Sequence, residues 1–124
     1  LMPNLLKTAL FLQELRDKLC EHYRRDVPII ISSGYRSPDL NAAVGGSHTS
    51  AHMRALAADI NAKGLTPLEL AKFAAEHMDG YDQIIHEFGR WVHVGLETHR
   101  PRKQRLTAIK EGGRTIYKQG LLPV

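Results

Sequence analysis

At 124 residues, with a net charge of +4 and a pI near 9.4, the chain has the size of one domain around one core. Its 43% apolar and 24% charged residues are those of an ordinary soluble globular protein. Cys20, the single cysteine, excludes an intrachain disulfide framework. No apolar run reaches the roughly 18 residues that a membrane span needs.

The basic balance points to polyanionic surroundings, nucleic acid or an acidic cell wall, without choosing between them. Aromatic residues make up only 6%, which weakens the case for a base-stacking nucleic-acid surface. No signal peptide is visible, and a chain that opens at Leu1-Met2 says little about export.

Leu5, Leu6, Ala9, Leu12, Leu15, Leu19 and Tyr23 fall mostly three or four apart. They predict an amphipathic helix over 5–23, with Asn4 as its cap and Cys20 as inert core filler. Ile29-Ile30-Ile31-Ser32-Ser33 is a β-branched run consistent with a buried strand. Gly34 breaks it, and Ser37-Pro38 opens one or two helical turns that end at Gly45-Gly46. Those glycines lack the Lys-Ser/Thr of a phosphate loop. Thr66-Pro67-Leu68-Glu69 is a helix start with a capping box, and that helix runs to about Met78. Residues 83–87 and 91–96 read as a hairpin about Phe88-Gly89-Arg90. The basic segment from 98 to 124 reads as an appended strand or a loosely held end of the same single domain. The expected class is α+β: a small antiparallel sheet flanked by the 5–23 and 66–78 helices.

One stretch, Ser50-Ala51-His52-Met53-Arg54-Ala55-Leu56-Ala57-Ala58-Asp59, read with Trp91-Val92-His93-Val94, organises the rest. It supplies two imidazoles and a carboxylate, donors of the type a catalytic zinc takes while leaving a fourth position for water. In one regular helix His52 and Asp59 would lie roughly 10 Å apart along the axis, whereas zinc bonds are about 2 Å long. A bend between them is therefore expected, with Ala57 and Asp59 on one face of a short strand and Ala58 and Ile60 on the other. His93 points inward from an alternating strand. By spacing alone the three are either metal ligands or unrelated polar residues.

Four segments together resemble the zinc D-Ala-D-Ala carboxypeptidase family, which also takes in phage endolysins. They are Ser33-Gly34-Tyr35-Arg36-Ser37-Pro38, Asn41 through Val44-Gly45-Gly46, the Ser50, His52 and Asp59 stretch, and Trp91-Val92-His93-Val94. The resemblance runs from about Ile29 to Leu96. It implies a hedgehog-like peptidase fold and one Zn2+ per chain on His52, Asp59 and His93. It also implies a substrate-holding Arg36, and the stem peptides of bacterial peptidoglycan as partner, met at the cell wall. Neither a nucleic-acid partner nor a membrane span is expected, and the protein is expected to be a monomer. The family usually has Gly where Ala55 stands, and often Gln where Ala51 stands. Ala55 suits that place only if its φ stays negative.

Water activation needs a base, and Glu87 and His86 are the candidates. A three-residue loop puts Glu87 opposite Trp91 on the His93 side; an even loop presents His86 instead. Arg36 is either a surface charge or a fork for a carboxylate or developing oxyanion. Ser50 orients a ligand, binds peptide or caps its loop. Tyr35 and His48 are candidates for substrate contact or ligand support. Trp91 packs the sheet or floors the cleft. His22, His77 and His99 have no partner legible in the sequence. Two kinds of function follow: a peptidase cutting the terminal D-Ala or the L-Ala–D-Glu bond, or a zinc-containing wall-binding or phage structural module with little turnover.

Overall fold

Phe11, Leu12, Leu15 and Leu19 lie on one stripe of the first helix and are buried, so this helix forms to cover a sheet. The computed structural model describes residues 2–44, 50–97 and 99–124. In it α1 spans Met2–Tyr23, beginning three residues before the expected Leu5. Pro3 is tolerated in that first turn, where its missing N–H would have no partner. Asn4 is consequently inside the helix and is no cap; its amide donates to the Arg54 carbonyl at 3.0 Å.

The element order continues β1 (Ile29–Ser33), α2 (Pro38–Ala43), a 3-10 turn (Ala51–Arg54), β2 (Ala57–Ala62), α3 (Pro67–His77), β3 (Tyr81–Glu87), β4 (Trp91–Leu96), β5 (Gln104–Glu111) and β6 (Arg114–Gln119). Ser37 caps α2, its Oγ accepting from the Leu40 N–H. Thr66 and Glu69 close a full capping box on α3, which satisfies two otherwise orphaned backbone donors. Gly45-Gly46, expected to end α2, lies outside the described residues.

The strands form one six-stranded sheet in the order β1-β2-β4-β3-β5-β6. The class is α+β as expected, but the sheet is neither small nor purely antiparallel. Residues 104–119, expected as an appended strand or loose end, supply two strands. β5 runs parallel to β3, with Glu87 beside Ala108, and turns back through Gly112-Gly113 into β6. The parallel pair is possible because β4 ends beside Tyr81 and β5 begins beside Gln83, so the return from β4 to β5 only has to cross the start of β3. The Asp82 carboxylate holds that return: it accepts from the Arg102 backbone N–H at 2.9 Å and takes the guanidinium at 2.9 and 2.7 Å.

Both long helices pack on one face of the sheet. Ala58, Ile60, Ile84, Val92 and Val94 meet α1 and α3 there, and Cys20 packs at the margin of the same core. Among the described residues, the opposite face carries only a small apolar cluster of Ile85, Leu106 and Ala108, with Phe88 against it. β1 corrects a further expectation. Ile30 and Ile31 are 56% and 55% exposed, because among the described residues β1 pairs only with β2 and forms the sheet's outer edge. Strand propensity and burial are separate properties of a β-branched run.

Candidate metal centre

The face of the sheet away from α1 and α3 gathers the polar residues of interest. β2 and β4 are antiparallel, with Asp59 opposite His93, and directly opposed residues project from the same face. His52 arrives from elsewhere. Ser50 caps the 3-10 turn, its Oγ accepting from the His52 N–H at 3.2 Å. The chain then reverses at Ala55 and enters β2 two residues later. The bend between His52 and Asp59 is thus a capped single turn.

That reversal overturns one expectation. Ala55 adopts φ 57 and ψ 27, the left-handed region, not the negative φ that an alanine prefers. An L-residue there costs about 1–2 kcal/mol. Surrounding contacts hold it: the Ala55 carbonyl accepts from Thr8 Oγ1 at 2.6 Å, and its N–H donates to the His52 carbonyl at 3.2 Å. α1 thereby fixes the turn that presents His52.

The three donor atoms converge. Asp59 Oδ1 lies 3.3 Å from His52 Nε2 and 3.1 Å from His93 Nδ1. Among the described residues they form a group able to hold one metal ion. Bonds of about 2.1 Å in a tetrahedron place neighbouring donors about 3.4 Å apart, so the spacing fits zinc. The other ring nitrogen of His52 fits as well. His52 Nδ1 lies 2.8 Å from the Gly34 carbonyl, a partner that fixes the ring and leaves Nε2 as the donor. His93 Nε2 faces Gly95, where an added Cβ would stand 3.3 Å from it. Burial alone would push the Asp59 carboxyl up, but hydrogen bonds from His52 and His93 outweigh it and bring the pKa down to about 2. Asp59 is therefore an anion in this setting.

Glu87 sits beside this group, with Oε1 3.7 Å from His93 Nδ1. The hairpin loop has three residues, with Phe88 and Gly89 both at positive φ, so Glu87 pairs with Trp91 and shares the His93 face. Burial raises the Glu87 pKa; the nearby His93 opposes this and the Asp59 charge adds to it. The Trp91 indole N–H favours the carboxylate from close by but is buried without a hydrogen bond of ordinary geometry. The rival base, His86, projects to the opposite face. It is buried, and its Nδ1 lies 2.9 Å from the Leu122 carbonyl.

Arg36 stands at the β1 end of the cleft. Its Nη2 donates to Ser50 Oγ at 3.1 Å, while its Nε is buried with no partner among the described residues. Ser50 thus joins the arginine to the His52 turn. Trp91 also lines the cleft and meets Phe88 edge-on, ring centroids 5.6 Å apart. Tyr35 is exposed and outside the cleft lining. His48 lies outside the described residues. His22 instead meets Phe73 edge-on and His77 lies tilted against the same ring, under the other face. The sequence reading missed Lys110, Thr115 and Tyr117, which line the same cleft from the β5–β6 hairpin. Nothing in their local pattern marks them, because only the parallel β3–β5 register brings them there. Among the described residues no helix is long and apolar enough to cross a membrane.

A profile of the peptidase M15 family matches residues 2–95. The zinc D-Ala-D-Ala carboxypeptidase of Streptomyces albus G is 37% identical over 82 residues, 66% of this chain and 29% of that protein. The chain thus spans less than a third of that relative's length. With a matching profile over most of its length and three donors converging on one point, the chain belongs to the peptidase M15 family.

Proposed function

We propose that the protein is a zinc peptidase that hydrolyses a peptide bond in the stem peptides of bacterial peptidoglycan. The observation that carries this reading is the convergence of His52 Nε2, Asp59 Oδ1 and His93 Nδ1 beside a buried carboxylate in an open cleft. Family membership supports zinc, and the carboxypeptidase relative supports the substrate class. Three protein ligands with room for a fourth suit catalysis, since structural zinc sites are closed by four.

A zinc ion held by these residues supplies Lewis acidity, making water a better acid and a carbonyl a better electrophile. The chain's own groups do the rest. Glu87 is placed to take the proton of the attacking water and return it to the leaving amine. Its raised pKa makes it a stronger base toward that water, and the carboxylic acid so formed is still a much stronger acid than an ammonium, so it can give the proton to the leaving amine. Arg36, held by Ser50 and lining the cleft, is placed for its guanidinium to meet a substrate carboxylate or the developing oxyanion. The net positive charge favours adsorption to an anionic wall, an effect that weakens with salt.

The reading is tested with zinc-loaded protein and defined muropeptides, the released fragments being identified by mass spectrometry. Cleavage that stops with a chelator and returns with zinc is expected, and the fragment masses give the bond cut. Stoichiometric zinc without turnover of any muropeptide would favour a wall-binding module instead. Ala51, apolar and in the cleft lining beside His52, is the feature that favours that second reading.

A further inference from the structure

We propose that the β5–β6 hairpin forms a distal subsite in which Lys110 and Tyr117 bind a carboxylate-bearing residue of the substrate, about three residues from the bond that is cut. The inference rests on the peptidase reading above. The hairpin lies beyond residues 2–95, the segment matched by the family profile.

Register places both residues on the working face. Glu87 pairs with Ala108, and Ala108 pairs with Tyr117, so all three project to the same side. Lys110, two residues after Ala108, shares that side and pairs with Thr115. All of Glu87, Lys110, Thr115 and Tyr117 line one cleft with the metal ligands.

The chemistry at this end suits an anion. Lys110 Nζ lies 5.4 Å from the centre of the Phe88 ring and donates to Thr115 Oγ1 at 3.1 Å. Among the described residues it forms no ion pair. By contrast, two other cleft cations are neutralised, Arg54 by Glu97 and Arg102 by Asp82. Lys110 therefore keeps a charge directed over an aromatic surface with donors to spare. Burial, then the charge of Glu87, raise the pKa of the Tyr117 phenol, so it remains a neutral O–H donor on the same face of the hairpin as Lys110.

Distance sets which residue is read. Tyr117 is two strand spacings from Glu87, roughly 10 Å, and an extended peptide covers about 3.3–3.6 Å per residue. Arg36 follows β1, at the other end of the strand order. A peptide whose C-terminal side is held by Arg36 thus lays its N-terminal side toward Lys110. An acidic residue on that side meets the hairpin.

The test uses two peptides of one sequence, one with its acidic side chain free and one with it amidated. Binding to the zinc-loaded protein is read from the fluorescence of Trp91, the single tryptophan, and turnover is read in parallel. The free acid is expected to bind on the order of three- to tenfold more tightly at low salt. Lys110→Met should erase that ratio, Lys110→Glu should reverse it, and Lys110→Arg should keep it. An unchanged ratio in Lys110→Met, with zinc retained, would overturn the subsite. Discrimination in binding without cleavage of either peptide would uphold the subsite while removing the peptidase reading.

Discussion

Asp59 and His93 stand directly opposite each other on antiparallel neighbours, with Oδ1 3.1 Å from Nδ1. Two candidate ligands are therefore fixed by the ladder of the sheet itself. Directly opposed Cβ atoms are held about 4.5–5.5 Å apart, which leaves little freedom to misplace either donor. His52 depends on a capped turn pinned by Thr8 and Ser50, so it is the candidate ligand most exposed to local strain.

Glu87 and His86 are neighbours in sequence on opposite faces, and substitution separates their roles. Glu87→Gln should keep zinc and fold while turnover of a muropeptide falls by about 10²–10⁴. His86→Ala should leave the chemistry nearly intact and lower the thermal midpoint, because it frees the Leu122 carbonyl and opens a buried space. Rate measurements and thermal melts on both variants check this. A Glu87→Gln protein with undiminished turnover would remove the carboxylate from the mechanism.

Gly95 keeps space beside the His93 ring. A methyl group at Gly95 would approach Nε2 to 3.3 Å, so the ring must move by a few tenths of an ångström. Gly95→Ala is expected to weaken zinc binding by about tenfold, as losses in the support of a ligand do. Competition against a chromogenic chelator gives the affinity.

Ala55 is strained where glycine would not be. Ala55→Gly should stabilise the protein by about 0.5–1 kcal/mol, the relief of the left-handed alanine less the added freedom of the unfolded chain. Urea unfolding measures the difference. A destabilised variant would mean that the buried Ala55 methyl contributes more packing than its backbone costs.

Asp82 ties the start of β5 to β3, and its pKa is lowered, chiefly by the hydrogen bond from Arg102. A carboxylate whose folded pKa lies below its unfolded value stabilises the fold fully above about pH 4, and less as pH falls through the folded value. Asp82→Asn should therefore cost about 1 kcal/mol near neutrality, allowing for solvent screening of this partly exposed pair. The gap from the native protein should close in acid. Thermal midpoints between pH 2 and pH 7, as rough limits of that range, follow it.

Local chemistry was the legible part of this chain. The Thr66 capping box, the Ser37 cap, the bend after His52 and the odd hairpin about Gly89 all depend on residues close in sequence. So did the facing of Glu87, since loop parity decides it. What escaped depends on distant pairing. Exposure of Ile30 and Ile31 follows from β1 being an edge strand, which its own β-branched residues do not reveal. The parallel docking of β5 on β3 cannot be read from the basic tail, and with it went the contribution of Lys110 and Tyr117 to the cleft. Ala55 shows the third limit: tertiary bonds from Thr8 hold a conformation that its residue type disfavours.

Metal analysis after dialysis, on the native protein and on His52→Ala, Asp59→Ala and His93→Ala, addresses the shared ion most directly. One zinc per native chain is expected, with each variant losing it while circular dichroism shows the fold retained. Full zinc retention by any of the three variants would contradict a single ion bound jointly by those side chains.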